Sequence, residues 1–391
     1  MKVFTMAACA FLLWTLQGAL FHRFWARKLS VSLSFGCQTR VEGEDGILKE
    51  TITNAKALPV PVLHVKFQMD RHLVFTSSGN FKVTDNSYRS DIFSCMPWQE
   101  IRRGLKFRCQ KRGYYTISQV QLVSYDLFFT GHFVASVPVW TALYVYPKAA
   151  DAQRLDLPFR NLMGQALARR SLLLDPFEIQ SVRPYESYDP YRSVNWKATA
   201  RTGELKVNVF SPTASWQVMF LLDVDSDRVW KDEALTEEAI RLCGSYCQLL
   251  IREGIPVSVC SNGTDCLSGG MGFLEPGAGP DHLISVMELL ARIQIEGDGH
   301  LPMEQVLEEL AVPGSFVPEG KDSLIYILIS PRGRSSVAKA YGHLCRQSPG
   351  SQWILPVRPG QTSWTEELMP QEISHISIYP WEVAYDYSRT S

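Results

Sequence analysis

The chain has 391 residues, too many for one typical core, so two or three domains are expected. Hydrophobic residues make up 46% and charged residues 20%, a globular composition rather than a disordered one. With 39 basic and 40 acidic residues the formal net charge is -1, which leaves no basic excess for a nucleic-acid binder.

Residues Val3 to Phe21 read VFTMAACAFLLWTLQGALF, without one charge. As a helix this run is about 28 Å long, enough to cross the hydrocarbon core of a bilayer. It is apolar on every face, unlike a core helix packed on one side. A cleaved signal peptide is the competing reading, but Lys2 is the sole charge ahead of the run and no small-residue cleavage site follows it. The flank from His22 to Lys28 adds Arg23, Arg27, Lys28 and the interfacial Trp25. By the positive-inside rule this predicts a single-pass protein of the cell membrane with its soluble domains in the cytoplasm. The nine cysteines are odd in number and form no CxxC pair, so they read as free thiols in a reducing compartment.

From Leu29 to about Tyr146 the pattern is β throughout. Leu29 to Phe35 alternates apolar and polar residues strictly, as a half-buried strand should. Leu63 to Phe67, Leu105 to Cys109 and Ile117 to Leu122 repeat the theme, with turn residues at Glu42 to Gly46, Asn54, Pro59, Pro61 and Lys111 to Gly113. Seven or so short strands at this spacing suggest an immunoglobulin-like β-sandwich.

Beyond Trp216 the texture becomes α/β. Val218 to Val224 is an apolar run ending in acid, as a buried parallel strand reads. An amphipathic helix from Leu235 to Arg252 aligns Leu235, Ala239, Leu242, Tyr246 and Leu249, and Gly254 stops it. Strands are expected at Ile255 to Cys260, Leu324 to Ser330, Trp353 to Val357 and Ile373 to Ile378. Helices are expected at Asp281 to Ile293, Met303 to Leu310 and Ser335 to Arg346. Such alternation implies a mostly parallel sheet with helices on both faces. The expected organisation is therefore an anchor and basic flank at 1–28, a sandwich at 29–147, an irregular segment at 148–214 and an α/β domain at 215–391.

The irregular segment holds the densest constellation. Arg183, Arg192, Lys197 and Arg201 lie among Glu186, Asp189 and Glu204, with Tyr185, Tyr188, Tyr191 and Trp196 interleaved. Guanidinium groups pair carboxylates bidentately and stack on aromatic faces. The stretch is either an internal network that binds it to the α/β domain as one connected unit, or a docking surface for a partner. The pattern R-x-Y-x-x-x-D-x-x-R-x-x-x-W-K-x-x-A-R-x-x-x-L also resembles the signature of the domain of unknown function 58 family, a family of bacterial membrane-anchored proteins. In that family it stands just ahead of a von Willebrand factor A-like domain. Two positions depart from it: Tyr188 stands where the family usually has glycine, and Asn195 where it usually has aspartate. The resemblance implies an anchor, a β-sandwich and a von Willebrand factor A-like domain in that order. It also implies a protein partner, a MoxR-type AAA+ ATPase, for a non-enzymatic adaptor in complex assembly or maintenance of the cell envelope.

Von Willebrand A domains often bind Mg²⁺ at a D-x-S-x-S motif after the first strand, where hydroxyls and a carboxylate suit a hard cation. This chain has Asp223, Asp225 and Asp227 at those places, so both hydroxyls are replaced by acids. Ser330-Pro331-Arg332-Gly333 lacks the aspartate expected after a later strand, and Arg332 would bring a cation instead. The expectation is no Mg²⁺ site and no cofactor, the alternative being a Mg²⁺-dependent ligand-binding or adhesion module. No catalytic constellation is legible either. The histidines are isolated, no P-loop or G-x-S-x-G is present, and the glycine-rich Ser268 to Phe273 reads as a flexible loop. Cys243 and Cys247 share a helix face with nothing nearby to lower a thiol pKa.

Overall fold

The computed structural model describes residues 2–76, 81–83, 86–126, 128–129, 131–151, 154–155, 159–161, 164, 174–187, 189–212, 217–225, 232–295, 300–312, 324–348, 350–360 and 376–383. The chain divides into two compact units, Met1–Lys148 and Ala149–Ser391.

The first unit opens with helix α1 (Lys2–Phe24), which is long and apolar enough to cross a membrane. Its early turns expose their side chains, whereas Phe21 and, just past its end, Trp25 are buried in the β core. The Phe21 and Phe133 rings lie 5.5 Å apart, and Gln17 Nε2 donates to Asp126 Oδ2 at 3.1 Å. The end of the helix is thus part of the sandwich rather than a loose tether.

The sandwich strands are β1 (Leu29–Phe35), β2 (Thr39–Val41), β3 (Asp45–Asn54), β4 (Val60–Asp70), β5 (Leu73–Phe75), β6 (Phe81–Val83), β7 (Asn86–Cys95), β8 (Glu100–Cys109), β9 (Gly113–Tyr125) and β10 (His132–Tyr146). One sheet runs β1-β3-β8-β5 and the other β2-β10-β9-β4-β7-β6. Alternation sets which face is buried: Val31 and Leu33 of β1 point inward with Leu48 and Ile52 of β3, their antiparallel partner. The described strands outnumber the seven expected because β2, β5 and β6 span three residues each, too short to show a period.

In the second unit, after a stretch from Ala149 whose Leu155 packs in the α/β core, come two antiparallel strands, β11 (Leu174–Pro184) and β12 (Lys206–Pro212), with the short helix α2 (Trp196–Thr202) between them. There follow β13 (Gln217–Leu222), α3 (Glu233–Arg252), β14 (Val257–Asp265), β15 (Met271–Gly277), α4 (Pro280–Arg292), β16 (Ile293–Gln294), α5 (Met303–Ala311), β17 (Leu324–Ile329), α6 (Ser335–Leu344), β18 (Ser351–Val357) and β19 (Ser377–Glu382). The sheet order is β15-β14-β13-β17-β18-β19, with β16 on β14. Strands β14, β13, β17, β18 and β19 are mutually parallel, while β15 and β16 join β14 antiparallel. The sheet is therefore mixed.

Strand β13 shows why its run reads as continuously apolar. Val218, Phe220 and Leu222 pack with Leu242, Tyr246 and Leu250 of α3. Met219 and Leu221 pack on the other face with Leu307 of α5 and Tyr341 of α6. Both faces are covered, so neither alternate position is polar.

Two expectations are corrected here. Ser268 to Phe273 is not simply a flexible loop: it turns at Gly269, with φ 69°, and then enters β15, where Phe273 pairs with Cys260. Glycine at a turn into an edge strand gives the same local signal as glycine in a loop. Of the expected last strand at Ile373 to Ile378, the first three positions lie outside the described residues; the observed strand, β19, includes Ser377 and Ile378 and runs on to Glu382.

Candidate functional site

Two features are built from the residues singled out above. The first lies where the order of the parallel strands reverses. From β13 one crossover leads to β14 on one side, and a later connection leads to β17 on the other. Open α/β sheets place ligands at the carboxyl ends of the strands at such a switch point. Asp223 follows β13 there and Ser330 follows β17, joined because the two strands run parallel in register from Gln217↔Leu324 to Leu222↔Ile329.

Asp223 is 2% exposed. Ser330 Oγ donates to its Oδ2 at 2.7 Å, and Asn262 Nδ2 and the Asp225 backbone N–H donate to its Oδ1, each at 3.0 Å. Asn262 Oδ1 in turn accepts from Val224 N at 2.8 Å. Burial raises the Asp223 carboxyl above the usual range, working against the hydrogen bond from Ser330 and with the charge of Asp225. Asp225 Oδ2 lies 3.2 Å from Arg334 Nη1, which is also 4.0 Å from Glu304 Oε1. Ser336 Oγ donates to Glu304 Oε1 at 2.6 Å.

Both oxygens of Asp223 accept hydrogen bonds from the chain's own donors, and the Arg334 guanidinium stands beside Asp225, a charge that opposes a cation there. Asp227 lies outside the described residues. Among the described residues no cluster of three or more His, Cys, Asp or Glu is arranged to hold a metal. Arg334 brings a cation to Asp225, and Arg332, the residue expected from sequence, stands at the same site with its backbone N–H donating to Ser330 Oγ at 3.2 Å. Asn262, Glu304 and Arg334 were not legible as members. The one sequence signal was Asn262, an amide within the strand-like run that starts at Val257, a position that burial would penalise without a partner.

The second feature is the segment around α2. Arg183, at the end of β11, makes a bidentate pair with Asp189 at 2.7 and 2.6 Å, which holds the Asp189 carboxyl below its usual range. The rings of Tyr185 and Tyr191 stack at 5.7 Å. Asn195 caps α2 through Oδ1, which accepts from Ala198 N at 2.9 Å, while Nδ2 donates to Asn208 Oδ1 at 2.6 Å. Aspartate caps helices equally well, so the departure at Asn195 keeps the local fold. Gly203, with φ 77°, closes the helix and returns the chain to β12.

The period of α2 sorts its residues. Ala198 and Thr199 are half-buried, whereas Trp196, Lys197, Ala200 and Arg201 form one outward stripe. Trp196 is 67% exposed and Tyr191 72%. Arg192, Lys197 and Arg201 are exposed and take part in no ion pair among the described residues. The single connected charge unit is thus not what forms: one pair, Arg183–Asp189, is internal, and the other basic and aromatic groups face outward. Trp196, Lys197 and Arg201 lie on the exposed stripe of α2, and Tyr191 and Arg192 lie exposed on the turn ahead of it. Tyr188 lies outside the described residues.

Elsewhere, Cys243 and Cys247 are buried in the core of α3, and burial pushes the Cys247 thiol well above its usual value. All nine cysteines are free.

The family model described as a protein of unknown function, DUF58, matches residues 181–310, from the end of β11 to α5. No curated protein matches the chain. Among solved structures, a non-cellulosomal cohesin from the archaeon Archaeoglobus fulgidus is similar at 16% identity, covering 30% of this chain and 91% of its own, with a TM-score of 0.21. A CARDB domain from Pyrococcus furiosus, in complex with di-metal ions, is 12% identical over 30% of this chain and 90% of its own, with a TM-score of 0.21. A cohesin module of a Clostridium perfringens family 33 glycoside hydrolase is 6% identical over 31% of this chain and 98% of its own, with a TM-score of 0.23.

Proposed function

We propose that the chain is a non-enzymatic, membrane-tethered adaptor that binds a protein partner through the outward stripe of α2 together with Tyr191. The observation that carries this reading is the exposure of Trp196 and Tyr191 beside Arg192, Lys197 and Arg201, on an element fixed by Asn195, Gly203 and the Arg183–Asp189 pair. Tryptophan, tyrosine and arginine are the residue types that carry most binding energy at protein interfaces. A rigid element that displays them loses little conformational freedom on binding. The stripe is cationic, so its partner presents an acidic patch.

A MoxR-type AAA+ ATPase is the partner proposed, on the family resemblance. The α/β unit is read as von Willebrand factor A-like; five parallel strands diverging from β13 and an acid after that strand support this. The anchor α1 is read as leaving both units in the cytoplasm, supported by Arg23, Arg27 and Lys28 after it.

The test is direct binding between the full chain in lipid nanodiscs and a purified MoxR-type ATPase from the same organism. Trp196→Ala is expected to weaken binding about 30-fold or more, the scale of a 2 kcal/mol hot spot, with melting unchanged. Binding by Trp196→Ala and by Lys197→Glu/Arg201→Glu equal to that of the parent would remove this surface from the proposal. Cleavage next to Lys148 by protease added outside intact cells would overturn the orientation.

A further inference from the structure

The end of α1 and the first sandwich loops border an open groove of about 340 Å³ lined by Leu20, Phe24, Arg27, Lys28, Lys56 and Leu58. One side is apolar: Leu20 and Phe24, one helical turn apart, and Leu58. The other carries three basic side chains. Lys56 is 9% exposed, and its Nζ has no hydrogen-bond partner. Burial lowers its pKa, which records the same shortfall. An unpaired ammonium taken out of water is costly, so a fold that keeps one buried either tolerates the loss or reserves it for an anion.

The surroundings favour the second case. The Lys56 loop is pinned from three sides: Ala55 N donates to Lys28 O at 3.0 Å, and Asn54 Nδ2 donates to Leu58 O at 3.1 Å and to Met96 O at 2.9 Å. Lys28 itself is held at φ 54°, a left-handed backbone unusual for lysine. Met96 and Trp98, on the loop that Asn54 holds, are exposed, as side chains at a membrane interface are. The groove lies at the sandwich end of α1, where a helix leaving the bilayer meets the lipid headgroups.

We propose that the groove binds one anionic phospholipid, its phosphate against Lys56, Arg27 and Lys28 and its acyl chain along Leu20 and Phe24. The site gives the first unit a fixed seat on an acidic membrane surface, and it rests on α1 crossing the bilayer. Charge complementarity selects the ligand, and the adjoining apolar wall selects a lipid over a free phosphate. Each basic residue at an acidic membrane surface is worth about 1 kcal/mol, or about fivefold in binding.

The full chain is reconstituted in nanodiscs of phosphatidylcholine alone and of phosphatidylcholine with phosphatidylglycerol, and lipid retention is read by native mass spectrometry alongside melting. Retention of phosphatidylglycerol and a higher melting temperature in its presence are expected. Lys56→Met should lose about fivefold in retention and most of the melting increment, yet melt no lower than the parent in phosphatidylcholine, because the unpaired ammonium is gone. If Lys56→Met does not fold, the exposed pair Arg27→Gln/Lys28→Gln carries the same expectation. Full retention of the increment in these variants would overturn the site. An equal increment from inorganic phosphate added to phosphatidylcholine discs would overturn the lipid in favour of a free anion. Release of the protein from membranes by an alkaline wash would overturn the anchor, a failure distinct from that of the groove.

Discussion

Glu50 offers the sharpest test of how charge is held in the sandwich. It lies on β3 between the inward-facing Leu48 and Ile52, is 1% exposed, and neither carboxylate oxygen has a hydrogen-bond partner. Burial and the nearby Asp91 push its pKa up from 4.5 to about 7, against the pull of Arg103 and Arg89. A folded-state pKa above the unfolded value means that the protonated form fits the core. Its contribution is fully present below pH 4.5 and is lost as pH rises through 7. The span between the two values corresponds to about 3 kcal/mol, at 1.36 kcal/mol per pKa unit. Glutamine keeps the shape and stays neutral at every pH. Glu50→Gln should therefore match the parent near pH 4.5 and exceed it by about 3 kcal/mol above pH 8. Pulse proteolysis in urea, with sandwich fragments followed by mass spectrometry, separates this unit from the other. A stability gap that does not grow between pH 4.5 and 8 would refute the reasoning.

Three further outcomes follow from the second unit. Asp223→Ala leaves the Asn262 amide and the Asp225 N–H without this acceptor and the Ser330 hydroxyl with only the Arg332 carbonyl, and should cost on the order of 3 kcal/mol in urea unfolding. At Gly263 a Cβ would come within 2.6 Å of Val224 and 2.7 Å of Ile293, so Gly263→Ala should destabilise the same unit by about 2 kcal/mol through overpacking. Calorimetric titration of the parent with Mg²⁺ should show no sub-millimolar binding; such binding, abolished by Asp223→Ala, would defeat the geometry drawn here.

Much of the fold was legible because burial writes itself into the sequence as a period. The alternation of Leu29 to Phe35 corresponds to a strand over those same residues, and the apolar face from Leu235 to Leu249 to a helix from Glu233 to Arg252. What stayed hidden lacks such a period. Strands β2, β5 and β6 are three residues long, and β15 opens at a glycine turn. At the switch point the acid after β13 stood out, but Asn262 meets Asp223 from β14, and Arg334, just ahead of α6, links Asp225 to Glu304 of α5; only the fold makes them neighbours. Around α2 the density of charge was plain, yet density does not tell a network from a surface. Direction does that, and direction comes from where Asn195 starts the helix.

The two features of the second unit also bear on each other. At the switch point, neutral donors from Ser330, Asn262 and the Asp225 backbone fix the orientation of the Asp223 carboxylate, and the Arg334 guanidinium beside Asp225 supplies positive charge next to the acids. A divalent ion brought to these acids would be repelled by that guanidinium. In the proposed adaptor, recognition falls to the outward side chains of α2, a tryptophan face, a lysine and an arginine, on an element held in place by the Asn195 cap and the Arg183–Asp189 pair.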